Sequence, residues 1–180
     1  MEQEKIGSAV GTPYDDVFRT LLNDCSGLVL PVLNELFGEK YTGEEKIVFS
    51  KNEHFLNQQD GNETRIVTDS SFAVYGDEEK SYLFECQSTA DNSMLVRIFE
   101  YSTQIALDEG KVEGNILNVK IPRSAILFLR STSSTPDAMK IRMETPGGTV
   151  CFDVMVMKVK QYSIEEIFDK SLLLLIPFYI

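Results

Sequence analysis

The stretch Ser81–Ser88, SYLFECQS, starts as a buried strand and then changes character. Tyr82, Leu83 and Phe84 belong in a core, yet Glu85 follows them and Gln87 lies two positions later. A strand alternates faces with period two, so Glu85 and Gln87 point the same way. A buried carboxylate without a partner costs several kcal/mol, so it comes with a cation, a proton or a metal. The segments on either side narrow the choice.

Upstream, residues 63–75 (ETRIVTDSSFAVY) and 80–88 are β-rich on either side of GDEE, which reads as a hairpin. A turn centred on Asp77 pairs positions whose numbers sum to 154, which sets Asp69 opposite Glu85. Cross-strand side chains are then about 5 Å apart at Cβ. Two carboxylates that close repel unless one is protonated or a cation lies between them. A hard divalent ion held by carboxylates, a backbone carbonyl and water meets that requirement. The structural alternative is that Asp69 starts a turn or caps, while Glu85 pairs with Arg65 or Arg97.

Downstream, residues 92–109 carry the clearest helical stripe: Met94, Leu95, Ile98, Tyr101 and Ile105. Asp91 or Asn92 can cap this helix, and Gly110 ends it. Arg97 and Tyr101 are four apart on one face, with Gln104 a turn further on. Residues 123–131 (RSAILFLRS) read as a strand buried on both faces, so 80–88, the helix and 123–131 make a parallel crossover. Residues 138–145 and 149–159 flank PGG as a second hairpin. Ser163-Ile-Glu-Glu166 opens like a capped helix that runs to 175, before Pro177. Near the N-terminus, 15–37 has helical spacing with a break near Gly27–Pro31 and a stop at Gly38. Residues 45–57 read as a first strand. The class is α/β, a mixed sheet with helices on its faces.

Composition bounds the rest. The 180 residues suit one domain with a real core, and no window approaches the roughly 20 apolar residues of a membrane helix. The N-terminal MEQEKIGSAVGTP is polar and has no apolar signal core, so the expected compartment is the cytoplasm. Cys25, Cys86 and Cys151 are scattered and His54 is the lone histidine, which disfavours structural zinc and leaves reduced core thiols. The net charge of −11 argues against nucleic acid, but it is unevenly spread. Residues 1–110 have 8 basic and 21 acidic side chains, whereas 111–160 have 8 basic and 4 acidic. That asymmetry points to a polyanion partner. There is no phosphate loop, dinucleotide turn or nucleophile elbow.

An Asp in the second strand, a hairpin, Glu-x-Gln in the third, then a helix and a fourth strand resembles the PD-(D/E)XK nuclease core. ECQSTADNSMLVRIFEY is similar to the E-x-Q-S…M-x-x-R-x-x-x-Y segment of the YhgA-like, Rpn family of transposases and recombination-promoting nucleases. Asp15-x-x-Phe18-Arg19 resembles that family's N-terminal D-x-x-F-(Lys/Arg), and the later IPRSAILFLRS and YSIEEIFDKSLLLLIPF are like its continuation.

The resemblance covers nearly all of 14–180. It implies a restriction-endonuclease-like αβββαβ core over 14–160, with an added C-terminal hairpin and helix, after a polar segment at 1–13. Residues 161–180 would begin a helical region that continues further. An apolar end such as SLLLLIPFYI needs cover over 172–180, from missing chain or a second copy.

The resemblance also implies DNA as the partner and Mg2+ or Mn2+ as the cofactor. Asp69, Glu85 and the carbonyl of Cys86 would be metal ligands. Gln87 stands at the usual catalytic lysine position, where it can hold a water but cannot exchange a proton. Arg97, Tyr101 and Gln104 would hold phosphate or support the site, with core packing the alternative for Tyr101. Asp15, Arg19 and Glu53 are further candidates, against helix capping for Asp15 and a solvated edge for Glu53. Lys51 and His54 share the strand at 45–57 and could meet a backbone phosphate. A nuclease-like domain that binds DNA or a partner without cutting is the alternative function, and a pure interaction domain is another.

Overall fold

The structure is a computed structural model that describes residues 13–50, 53–57, 63–67, 70–87 and 93–179. Helix α1 (Pro13–Asp24) places Phe18 and Leu22 in the core; a 3-10 turn at Ser26–Leu28 then re-aims the chain into α2 (Val29–Phe37). The break falls just ahead of Pro31, which sits in the first turn of α2, where its missing N–H is no loss. Gly38 ends α2 in the left-handed region (φ 66°) and donates its N–H to the Asn34 carbonyl at 3.0 Å.

The expected strand at 45–57 is two strands. β1 (Lys46–Phe49) belongs to the main sheet, and β2 (Glu53–Asn57) pairs with β3 (Glu63–Val67) in a separate two-stranded sheet. The run 63–75 divides likewise into β3 and β4 (Ser70–Tyr75). The β1–β4 ladder pairs Phe49 with Phe72, while the β2–β3 ladder pairs Glu53 with Val67, a register different by one residue. A one-residue shift between consecutive antiparallel ladders is what divides one long β-ribbon in two.

β5 (Glu79–Gln87) pairs antiparallel with β4 from Tyr75↔Glu79 to Ser70↔Phe84, the register expected from a turn at Asp77. Helix α3 (Met94–Asp108) has Ser93 at its N-cap position, not the expected Asp91 or Asn92. A small hairpin not foreseen from the sequence follows, β6 (Lys111–Glu113) and β7 (Ile116–Asn118). β8 (Arg123–Phe128) then pairs parallel with β5, as the crossover required. β9 (Met139–Thr145) and β10 (Gly148–Lys158) form the second hairpin, with β10 parallel to β8. The six-stranded mixed sheet runs β1-β4-β5-β8-β10-β9.

Both faces of the sheet are covered. Phe72, Tyr82, Phe84, Cys86, Ala125, Leu127 and Met157 pack under α1 and α2. Leu83, Ile126, Phe128 and Val154 pack under Met94, Ile98 and Ile105 of α3. Near the end, α4 (Ile164–Asp169) is shorter than the expected helix. The chain turns at Ser171 and continues as a 3-10 segment, Leu173–Phe178, that contains Pro177. Leu172, Leu174, Leu175 and Phe178 are buried in the α1–α2 side of the core, while Leu173, Ile176 and Tyr179 remain exposed. Four of these apolar side chains are therefore covered within the chain itself. No helix among the described residues is long and apolar enough to cross a membrane.

Candidate functional site

The alternation along β5 sorts its side chains between two environments. Tyr82, Phe84 and Cys86 face α1 and α2, and Leu83 faces α3. By the same alternation Glu85 and Gln87 stand on the α3 face, at the carboxyl end of the strand. Glu85 is only 4 % exposed, and Gln87 is half-buried. Their neighbours on β8 are Ile126 and Phe128, so a carboxylate and an amide interrupt an otherwise apolar face.

The crossover helix brings Arg97 onto this pair. Arg97 donates from Nη2 to Gln87 Oε1 at 3.3 Å and from Nη1 to Ser93 Oγ at 2.8 Å. The guanidinium thus bridges the start of α3 and the end of β5. Ser93 is a member of this cluster that sequence reasoning missed; its one signal was the i, i+4 spacing to Arg97. Tyr101 is half-buried and packs against the α3-side core, in keeping with the packing alternative. Gln104 turns away along the helix and donates to Asp108 Oδ1 at 2.8 Å.

The backbone here also has a direction. The Leu129 N–H donates to the Gln87 carbonyl at 2.9 Å, so Gln87 bonds toward β8. Successive residues of a strand turn their carbonyls to opposite edges, so the Cys86 carbonyl is directed to the β4 side. Glu85 and Cys86 therefore offer oxygen donors, which suit a hard cation rather than zinc or copper. Among the described residues, no three His, Cys, Asp or Glu side chains come together as a metal cage. Such a cation would need a ligand from outside them together with water.

Asp69 lies outside the described residues, as do Lys51 and the side chains of Asp15, Arg19, Glu53 and His54. Asp15 and Arg19 are on α1, and Glu53 opens β2. The Arg130 guanidinium lies 5.9 Å from the centre of the Tyr14 ring, which brings the first turn of α1 to the carboxyl end of β8.

A second polar group shares the α3 face. Lys158, on β10, stands beside Phe128 in the row that contains Gln87, and it is 7 % exposed. Its ammonium donates to the Thr135 carbonyl at 2.8 Å and to Asp137 Oδ1 at 2.5 Å. Lys158 in turn holds the Asp137 carboxyl below its ordinary range.

A cavity of about 530 Å³ lies at the other end of β5, lined by Glu39, Tyr41, Glu45, Asp77 and Lys80 among others. Glu39 there is occupied by Lys80 at 2.7 Å and Arg123 at 2.5 Å, which makes it a tie between elements rather than an open acid. Comparison with known proteins finds no matching family, curated protein or solved structure.

Proposed function

We propose that this chain is a metal-dependent phosphodiesterase of the PD-(D/E)XK type acting on DNA, similar to the YhgA-like, Rpn family of transposases and recombination-promoting nucleases. The observation that carries the reading is Glu85, a buried carboxylate at the carboxyl end of β5, with Gln87 beside it and Arg97 delivered by the crossover helix. The strand order supports it: two antiparallel neighbours, β1–β4 and β4–β5, then a helix and a parallel partner, β8. The β4–β5 register supports it too, because its pairs from Tyr75↔Glu79 to Ser70↔Phe84 are those expected of a hairpin turning about Asp77.

In this reading Asp69, Glu85 and the Cys86 carbonyl hold Mg2+ or Mn2+. Magnesium takes one or two carboxylates and keeps several waters, which fits so small a donor set. When bound, the ion supplies charge to a phosphoryl oxygen and lowers the pKa of a coordinated water. Glu85, walled in by α3 and β8, fixes the direction of its carboxylate. Gln87 can orient a water through its amide N–H groups while its oxygen is held by Arg97. Arg97, half-buried at the rim, supplies positive charge near the scissile phosphate.

A second reading keeps the fold and removes the cutting: a nuclease-like domain that binds DNA. Gln87 favours it, since an amide cannot transfer the proton that a lysine could. Supercoiled plasmid incubated with Mg2+ or Mn2+, against EDTA, decides between them. Nicking that requires the metal and falls at least about a hundredfold in Asp69→Ala and Glu85→Gln would establish the enzyme. Manganese binding without nicking, lost in the same variants, would leave the non-cutting reading. Neither binding nor nicking would overturn the site.

A further inference from the structure

The parallel strands β5, β8 and β10 end side by side, with Gln87, Phe128 and Lys158 in one row. Ligands of open α/β sheets bind in the crevice beyond such carboxyl ends. Just past that row the chain places two exposed cations. Arg130 lies two residues beyond Phe128, and Lys160 two residues beyond Lys158, in the 3-10 turn Val159–Gln161. Among the described residues, no carboxylate forms an ion pair with either. Arg130 is braced against Tyr14 of α1, on the face opposite α3, and Arg97 stands on the α3 face. Cations therefore flank the strand ends from both sides of the sheet.

Asp137 lies beside this edge, and its charge is matched by the buried ammonium of Lys158. Lys158 itself is committed to Thr135 and Asp137, so it holds the loop after β8 in place. In a chain of net charge −11, two exposed cations with no ion pair among the described residues stand apart from their surroundings. We infer that Arg130 and Lys160 extend the site into a track for the phosphates of duplex DNA, across the carboxyl ends of β8 and β10. The inference rests on the nucleic-acid reading above and names the surface that would grip the substrate. Each cation contacts a backbone phosphate and reads no base.

Binding of the full chain to a short fluorescent DNA duplex in CaCl2, followed between 50 and 200 mM salt, tests it. Each phosphate contact contributes about −0.9 to the slope of log K against log salt. Arg130→Met and Lys160→Met are each expected to make the slope shallower by about that amount. Each therefore shrinks the affinity gain over this salt range by about 3.5-fold. Arg130→Lys restores the slope, and Arg142→Met, on the exposed face of β9, leaves it unchanged. Methionine keeps bulk over Tyr14, and matched thermal melts separate lost charge from lost folding.

Wild-type slopes in both Met variants would overturn the track while leaving metal-dependent nicking intact. Shallower slopes without nicking in any metal would uphold the track and favour the non-cutting reading. No binding by the wild-type chain at 50 mM salt would overturn both.

Discussion

Glu85 and Gln87 are two residues apart, and that spacing alone put them on one face before any contact was known. Burial turns the spacing into chemistry, because an acid 4 % exposed beside Leu83 and Ile126 is costly unless something answers it. Arg97 was legible as a cation on the helix face that carries Tyr101, and its bond to Gln87 shows what it holds. Arg97→Ala is expected to lower metal-dependent nicking about 10- to 100-fold while shifting the melting temperature little, measured by plasmid kinetics beside thermal melts. Lys158 was not legible: a lysine closing VMVMK reads as a strand end, and its partner Asp137 is 21 residues away.

Titration adds a second residue-scale test. Burial, then the Tyr41 hydroxyl, push the Tyr82 phenol well above its ordinary 10.0. As pH rises past 10.0 the unfolded chain loses that proton first, so the folded state loses stability from there upward. Tyr82→Phe is expected to flatten this alkaline decline in denaturant titrations between pH 9 and 11, a window set by the ordinary phenol value. At the acid end the sign reverses. The Asp137 carboxyl, lowered by Lys158, contributes above 3.8 and loses that contribution as pH falls below it.

At the scale of elements, helices and central strands were the readable part. The stripe of α3 and the apolar run of β8 each bury a continuous surface, so periodicity reports them directly. The split of 45–57 and 63–75 was unreadable because the one-residue register change between the two ladders shows only once the strands are paired. The hairpin β6–β7 escaped because all six of its residues are exposed and so impose no pattern. Where local chemistry fixes an end, the reading held. Ser163 Oγ accepts from the Glu166 N–H at 3.1 Å, and Glu166 Oε2 accepts from the Ser163 N–H at 2.7 Å. Ser163→Ala should cost about 1 kcal/mol in equilibrium unfolding. Phe84→Ala, which removes a ring 5.9 Å from Phe72 at the centre of β5, should cost about 3–5 kcal/mol by the same measurement.

For the whole molecule, three cations of the basic segment, Arg130, Lys158 and Lys160, stand at the same strand ends as the candidate site, although the net charge of −11 says the opposite of the chain as a whole. A sum over residues conceals what topology collects. If the proposed site binds magnesium, a concentration a hundred times the dissociation constant would raise unfolding free energy by about 2.7 kcal/mol. For a chain of this size that is a rise of about 5–10 °C in melting temperature, expected to vanish in Glu85→Gln. The position of β10 between β8 and β9 has a consequence for the order of assembly. β9 has no strand neighbour except β10, so it joins the sheet only through the β9–β10 hairpin. Their closing turn depends on Gly148, whose φ of 132° is a conformation that side-chain-bearing residues avoid. Gly148→Ala should therefore slow refolding and leave the unfolding limb of a chevron nearly unchanged. The outer strand β9 would then be added at a pace set by one turn at its far end.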